Sequence, residues 1–408
     1  MPERGMASGP VRSNTISNNV LISGSTWQKD PLRKRNHRML TCAIERTHAE
    51  QMPKFTLVDQ PDSICAEIDT FDRIAVDTEF MREKTFFAEL CLVQIANGEN
   101  IYCVDPLGKP SLDTFWDALL QRTWVVHSGR QDIEVVYQTA GKMPARLFDT
   151  QIAAGLLGYA PQMGYATLVT ELFGVDIPKS HTRADWTKRP LAEAFLEYAA
   201  EDVEYLLPAC DMLQEKLDKE GRLAWAEEDS AQLLNPALYD PDPLLAIDRM
   251  KGARNFRGKR RAAAVRLAAW RETEALRANR PRQWIAKDSA LLEVASTLPS
   301  SMDELDKVEG LPAGLIRRSG NEILAAVSSS LADNSDYDPP GAPDESQKAQ
   351  LKAMQKLVAS CAEDLGLSAE TLASKRDLSA LIFGGDRATK VITGWRQALV
   401  GDDLLKLL

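Results

Sequence analysis

Ile74-Ala75-Val76-Asp77-Thr78-Glu79-Phe80 is a short apolar run that ends by presenting two carboxylates one residue apart. Side chains alternate along a strand with a period of two, so a strand here puts Asp77 and Glu79 on one face. Two acids side by side at the end of an apolar strand repel each other and are costly to desolvate. A bound divalent cation is one of the few things that makes such a pair favourable. Taken alone the triplet is weak, since D-x-E occurs often by chance and a surface or capping role is its ordinary explanation.

Outward from that strand, Arg73–Phe80, Glu89–Ala96 and Ile101–Val104 are three strand candidates whose links are short enough for antiparallel neighbours. Leu112–Leu120 has helical periodicity, Trp124–His127 is strand-like, Asp132–Thr139 is again helical, and Arg146–Asp149 is a last short strand or turn. Three antiparallel strands followed by βαβ alternation predict an α/β unit with a mixed sheet flanked by helices. Gln151–Leu157 and Thr167–Phe173 then read as helices and Ile177–Arg189 as a polar loop. Leu191–Glu220 reads as one long amphipathic helix bent at Pro208.

Two further places supply acids. His127-Ser128-Gly129-Arg130-Gln131-Asp132 follows a strand with a small-residue turn and opens a helix, which puts Asp132 near a helix N-terminus at the sheet edge. Its plain alternative is a first-turn acid that satisfies the helix dipole. In Tyr198-Ala199-Ala200-Glu201-Asp202, residues four apart share a helical face. Tyr198 lies in the apolar stripe with Leu191 and Phe195, so Asp202 faces inward too and needs a partner; a hydrogen bond to the tyrosine is the simple alternative.

At 408 residues the chain is long enough for two or three domains. Its charged and hydrophobic fractions, 26% and 44%, are those of a globular protein. No apolar run approaches the ~20 residues of a membrane helix, so no membrane association is expected. Cys42, Cys65, Cys91, Cys103, Cys210 and Cys361 show no C-x-x-C spacing, which argues against a disulfide framework or structural zinc and suits a cytoplasmic location. His37, His48, His127 and His181 are too few for a histidine-rich metal site. The net charge of −10 argues against a nucleic-acid partner, but charge is uneven: from Asp248 to Lys287 there are 13 Lys and Arg against 3 Asp and Glu. Such a block is the footprint of a phosphate-backbone binder, with a solvated helix face as the plain alternative.

Residues 1–52 lack hydrophobic periodicity and read as a disordered tail, with Met52 opening the sequence that looks folded and a misplaced start codon as one explanation. A polar connector, Leu234–Pro243, leads to an all-helical unit over residues 244–330, in which Asp288 is expected as an N-cap and Ser301-x-x-Glu304 as a capping box. Ala332–Gln347 has linker composition, and a third helical unit spans residues 348–408. Trp270-Arg271 and Trp395-Arg396 give the two helical units a faint look of repetition.

Asp77-Thr78-Glu79-Phe80, Asp132 behind its His-x-Gly turn, and Tyr198-x-x-x-Asp202 resemble the three sequence blocks of the DEDD-type 3′→5′ exonucleases, the tyrosine placing the chain with the DEDDy subgroup. More of the chain is similar to the ribonuclease D family. Phe80-x-Arg82, Leu92-Val93-Gln94-Ile95, Asp149-Thr150-Gln151-Ile152-Ala153 and the run Lys179-Ser180…Asp185-Trp186…Arg189-Pro190-Leu191 all fit it. The unit at 244–330 resembles the helicase-and-ribonuclease-D C-terminal (HRDC) domain through Trp270-Arg271, Asn279-Arg280-Pro281, Ile285-x-x-Asp288 and Gly320-Asn321-Glu322-Ile323-Leu324. Residues 348–408 resemble a divergent second copy.

That resemblance implies a ribonuclease H-like exonuclease domain over residues 53–222, followed by two HRDC-like domains. It further implies a two-metal-ion mechanism that releases nucleoside 5′-monophosphates from RNA, tRNA precursors being the leading substrate, in a monomer. Asp77 would bridge two divalent ions, Mg²⁺ or Mn²⁺, with Glu79 and Asp202 on the first and Asp132 on the second; Tyr198 would position the attacking water. Candidates for touching RNA are Phe80 (with Phe86 or Phe87, two of these three being expected in the core), Arg82, Gln94, Lys179, Arg183 and Arg189. Arg257, Lys259, Arg260 and Arg261 form the candidate docking surface. A DNA-directed exonuclease and an inactive RNA-binding scaffold are the alternatives; the presence of all four acids and Tyr198 speaks against the second.

Overall fold

In the computed structural model the opening stretch lies at the middle of a six-stranded sheet of order β1-β4-β3-β2-β5-β6. The structure describes residues 54–109, 111–177, 184–240, 242–332, 335, 337–339, 341–384 and 389–408; the expected tail, 1–52, lies outside them. The strands are β1 (Phe55–Val58), β2 (Arg73–Met81), β3 (Glu89–Ala96), β4 (Ile101–Val104), β5 (Thr123–Val126) and β6 (Arg146–Asp149). β2, β3 and β4 are antiparallel neighbours, whereas β1 joins β4, and β5 and β6 extend from β2, in parallel. The mixed sheet is the expected one, enlarged by β1. Only Val58 of that edge strand is buried and Leu57 is 48% exposed, so it has almost no hydrophobic alternation to betray it.

Register fixes the two faces. Ile74, Val76, Val93, Ile95, Tyr102, Val104, Trp124 and Val126 form one core with α1 (Asp113–Leu120) and α2 (Arg130–Ala140). The opposite face carries Ala75, Asp77 and Glu79. It is covered by α3 (Thr150–Leu156), α5 (Glu193–Glu204) and α6 (Leu206–Lys219), with α4 (Tyr165–Phe173) and α7 (Leu223–Ala231) packed around them.

The long helix expected over 191–220 is two helices that meet at Tyr205, and the break falls upstream of Pro208. Proline has no N–H for the carbonyl four residues back and its ring crowds that carbonyl, so the helix ends near Glu204. Pro208 then sits in the first turn of α6, where no N–H is needed. Tyr165 seals the break: its hydroxyl donates to the Glu201 carbonyl at 3.0 Å and accepts from the Tyr205 amide at 3.0 Å.

The connector is pinned rather than free. Tyr239 is 7% exposed and packs on the sheet's core, and Tyr137 donates to Asp240 at 2.5 Å. The first helical unit packs α9 (Asp288–Thr297) and α10 (Ala313–Ala332) against the 21-residue α8 (Gly258–Ala278). Lys287, not Asp288, occupies the cap position of α9; Asp288 is the first helical residue and accepts from buried Arg271 at 2.5 Å. Half of the expected capping box forms. Ser301 accepts from the Glu304 amide at 3.3 Å, but the Glu304 carboxylate takes the Ser300 amide at 2.7 Å.

The expected linker folds back on this unit, Tyr337 accepting from Arg261 and Asp338 from the Gly258 amide, at 3.0 and 2.8 Å. The last unit starts earlier than expected, α11 running Glu345–Leu365 behind an Asp344/Gln347 capping box, with α12 (Lys375–Phe383) after it. Trp395 stacks on Trp225 at 4.5 Å, and Arg396 pairs with Asp229 at 2.6 Å, so this unit shares a core with the sheet's helices. The Trp-Arg pairs are not a repeat. Trp270-Arg271 precedes the short turn Arg282–Ile285, whereas Trp395-Arg396 follows the short turn Ala369–Leu372. What recurs is that turn, closed by an extended alanine (Ala286 at φ −155°, ψ 138°; Ala373 at φ −155°, ψ 124°) and followed by a helix. Among the described residues no helix is long and apolar enough to cross a membrane.

Candidate active site

β2 presents Asp77 and Glu79 toward α5, and α5 returns Asp202 one turn beyond Tyr198 on its inward face. Ligand oxygens of Asp77, Glu79 and Asp202 all lie within 4.8 Å of one another. A register irregularity between Glu79 and Phe80 interrupts the ladder, which resumes with Phe80 opposite Leu90; such a bulge re-aims side chains beside a site. Asp132, in the first turn of α2, stands just outside this trio. One of its oxygens accepts from the Thr78 amide at 3.2 Å and the Thr78 hydroxyl at 2.5 Å, which ties α2 to the strand between the two other acids.

The charges are mutually expensive. Burial first, then the carboxylates of Asp132, Asp202 and Glu79, hold the Asp77 carboxyl well above its usual range. Burial, then Asp202 and Asp132, pushes Glu79 up to about 8. Asp202 rises to about 7 through burial against the pull of a Tyr198 hydrogen bond, and Asp132 to about 6 through burial against its bonds from Thr78. The Tyr198 hydroxyl is raised by burial and by Asp202, Glu79 and Asp77, so it stays protonated at neutral pH and donates to Asp202. Trp186, 4% exposed, backs both Phe195 and Tyr198 with ring centroids at 5.5 and 6.4 Å. Four clustered acids that resist ionising together, supplying only oxygen donors, fit a hard divalent cation, which would invert this balance.

Two residues without a role in the sequence reading hold the frame. Asp149, 1% exposed, accepts from the amides of Ser128, Gly129, Gln151 and Ile152, so one carboxylate fixes both the turn into α2 and the start of α3. Tyr165 clamps the end of α5 beside Asp202, as described above. Neither is marked by spacing; Asp149 is buried and Tyr165 partly buried, and the use of each polar group appears only with its partners. His127 is equally structural, its ring nitrogens lying 3.0 Å from the Thr150 hydroxyl and 2.8 Å from the Met163 carbonyl.

The residues expected to touch RNA divide sharply. Gln94, directly opposite Asp77 on β3, is 0% exposed, which removes it from contact with any polymer. Arg189 commits all five guanidinium hydrogens, to both oxygens of Asp105 and to the carbonyls of Trp186, Lys188 and Cys91, at 2.6–2.8 Å. Arg261 is buried and donates to the Tyr337 and Ala253 carbonyls. The two arginines are structural. Arg82 pairs with Glu134 at 2.7 Å, and Phe80 is half-buried against the core. Arg257, Lys259 and Arg260 are exposed at the start of α8. Lys179 and Arg183 lie outside the described residues. Phe86 lies under the guanidinium of Arg282, 4.4 Å from it, and edge-on to Phe87 at 5.3 Å.

Residues 54–218 match the family model described as 3′-5′ exonuclease, and residues 260–327 match the HRDC domain model. Ribonuclease D of Gluconacetobacter diazotrophicus is 37% identical over 384 residues, 89% of this chain and 95% of that protein. Ribonuclease D of Granulibacter bethesdensis is 36% identical over 381 residues, with 89% and 95% covered. Among solved structures, Escherichia coli RNase D, an exoribonuclease involved in structured RNA processing, is similar at a TM-score of 0.76 and 30% identity, covering 87% of this chain and 98% of that one.

Proposed function

This chain belongs to the ribonuclease D family and is a 3′→5′ exoribonuclease; from that premise we propose that it removes nucleotides from structured RNA, tRNA precursors foremost, at a two-metal site built by Asp77, Glu79, Asp132 and Asp202. The observation that carries the proposal is the trio of carboxylates, two from β2 and one from α5, within 4.8 Å of one another. Asp77, Glu79 and Asp202 would hold one ion, and Asp77 with Asp132 a second. Oxygen-only donors suit Mg²⁺ or Mn²⁺. When bound, such ions supply a nucleophile at neutral pH and relieve charge on the leaving oxygen. The protonated Tyr198 hydroxyl, anchored on Asp202 and backed by Trp186, orients the attacking water. The products are nucleoside 5′-monophosphates.

RNA would be delivered by the first helical unit. Arg257, Lys259 and Arg260 crowd the N-terminal end of α8, where cations oppose the helix dipole and gain nothing for stability. That misplacement supports a docking role. Trp284, 60% exposed between Arg282 and Lys287, offers a face for base stacking. The unit over 348–408 is a divergent second HRDC-like domain whose role is to buttress the nuclease through Trp395 and Arg396. The protein acts as a cytoplasmic monomer.

The test is end-labelled tRNA precursor, single-stranded RNA and single-stranded DNA, each with Mg²⁺, Mn²⁺ or EDTA. Metal-dependent shortening of the RNAs from the 3′ end is expected. Equal or faster loss from DNA would shift the proposal to a DNA-directed enzyme, and no loss from any substrate would refute it.

A further inference from the structure

The segment linking β2 to β3, residues 82–88, is held from both sides. At its start Arg82 pairs with Glu134 at 2.7 Å, on the same helix as Asp132. Further on, the amides of Phe86 and Phe87 both donate to the side-chain oxygen of Asn279, each at 3.0 Å, across 193 and 192 residues of sequence. Asn279 belongs to the first helical unit. It closes α8 in the left-handed conformation at φ 45°, ψ 52°, which asparagine tolerates better than most residues and which turns its side chain off the helix.

Arg282 reinforces the contact. Its guanidinium lies 4.4 Å from the centre of the Phe86 ring and is held there by a bidentate pair to Glu272 at 2.5 and 2.6 Å. Glu272 is 2% exposed and also takes Arg249 at 3.2 Å, so Arg282 is anchored in the unit's interior rather than free to follow the loop.

We propose that Asn279 and Arg282 are positioning residues for the nuclease: the first helical unit grips the segment leaving β2 and thereby fixes Glu79 and, through Arg82 and Glu134, Asp132. This rests on the site proposed above. It makes the unit a structural part of the catalytic geometry as well as a docking surface, since displacing a reacting group by about 1 Å costs on the order of a hundredfold in rate.

Asn279→Gly keeps the left-handed backbone and deletes the acceptor, whereas Asn279→Asp keeps an acceptor. In the full chain, kcat and KM for nucleotide release from single-stranded RNA at saturating Mg²⁺ are compared with amide exchange at Phe86 and Phe87 in RNA-free protein. For Asn279→Gly the expected result is a kcat about tenfold lower, KM within about twofold, an unchanged Tm and faster exchange of the two amides. Asn279→Asp restores kcat and slow exchange. Wild-type kcat in Asn279→Gly, or an Asn279→Asp variant as slow as Asn279→Gly, would overturn the proposal. If the wild-type chain releases nothing, the site itself fails, and unchanged amide exchange in Asn279→Gly then independently overturns the grip on the segment.

Discussion

At the scale of single residues, the electrostatics of the clustered acids make a prediction that needs no substrate. In the folded chain burial and neighbouring carboxylates raise Glu79 to about 8 and Asp202 to about 7 from an ordinary value near 4, and hold Asp77 well above its usual range. A group whose pKa is raised on folding binds more protons in the native state, so stability falls as pH rises through that window. Metal-free protein in EDTA should therefore lose Tm steadily between about pH 4 and pH 8, and Mg²⁺ should restore Tm at pH 8 more than at pH 5. A Tm independent of pH and metal would contradict the charge cluster. The acids were legible in the sequence because strand and helix periodicities place them without knowledge of partners. Arg189 and Arg261 were misread for the converse reason, since a charged residue looks available until its buried partners are seen, and Gln94 because its complete burial shows only once β3 is placed inside the sheet.

At the scale of elements, the turn His127-Ser128-Gly129 shows how local sterics set the site. A Cβ on Gly129 would come within 2.4 Å of Val126 Cγ2, and Asp149 grips the same turn by its amides. Gly129→Ala should destabilise the protein by about 1–3 kcal/mol in urea unfolding, and it should lower kcat because the start of α2, and Asp132 with it, must move. An unperturbed variant on both counts would show the turn to be slack. β3, β4 and β6 coincide with their expected bounds, since alternating and continuous apolar runs are strong local signals. β1 and the break at Tyr205 were hidden: the first is a mostly exposed edge strand, and the second depends on Pro208 acting four residues upstream.

At the scale of the whole molecule, the local excess of ten positive charges read from residues 248–287 overstates the surface presented to RNA. Of the 13 cations there, Arg249, Arg271, Arg277 and Arg282 are ion-paired within the unit and Arg261 is buried; among the eight that remain, Arg257, Lys259 and Arg260 are the exposed group most concentrated in sequence. Reversing those three charges should weaken binding of a tRNA precursor by about tenfold or more at low salt and flatten the dependence of affinity on salt, with little effect on a dinucleotide substrate. Unchanged low-salt affinity would remove the docking surface. The order of a nuclease and two helical units was legible from composition and motif. The core that the last unit shares with the nuclease, through Trp225 against Trp395 and Asp229 against Arg396, was not, because pairs so far apart in sequence leave no periodic trace.

The claim on which the rest depends is that one strand, ending in Asp77 and Glu79, organises a site for two divalent ions. Counting bound Mn²⁺ by electron paramagnetic resonance, on protein carrying an uncleavable phosphorothioate-ended RNA, tests it most directly. Two ions per wild-type chain are predicted, with neither retained by a folded Asp77→Asn variant whose activity has fallen at least about a hundredfold. An Asp77→Asn chain that still binds two ions and degrades RNA at the wild-type rate would contradict the account.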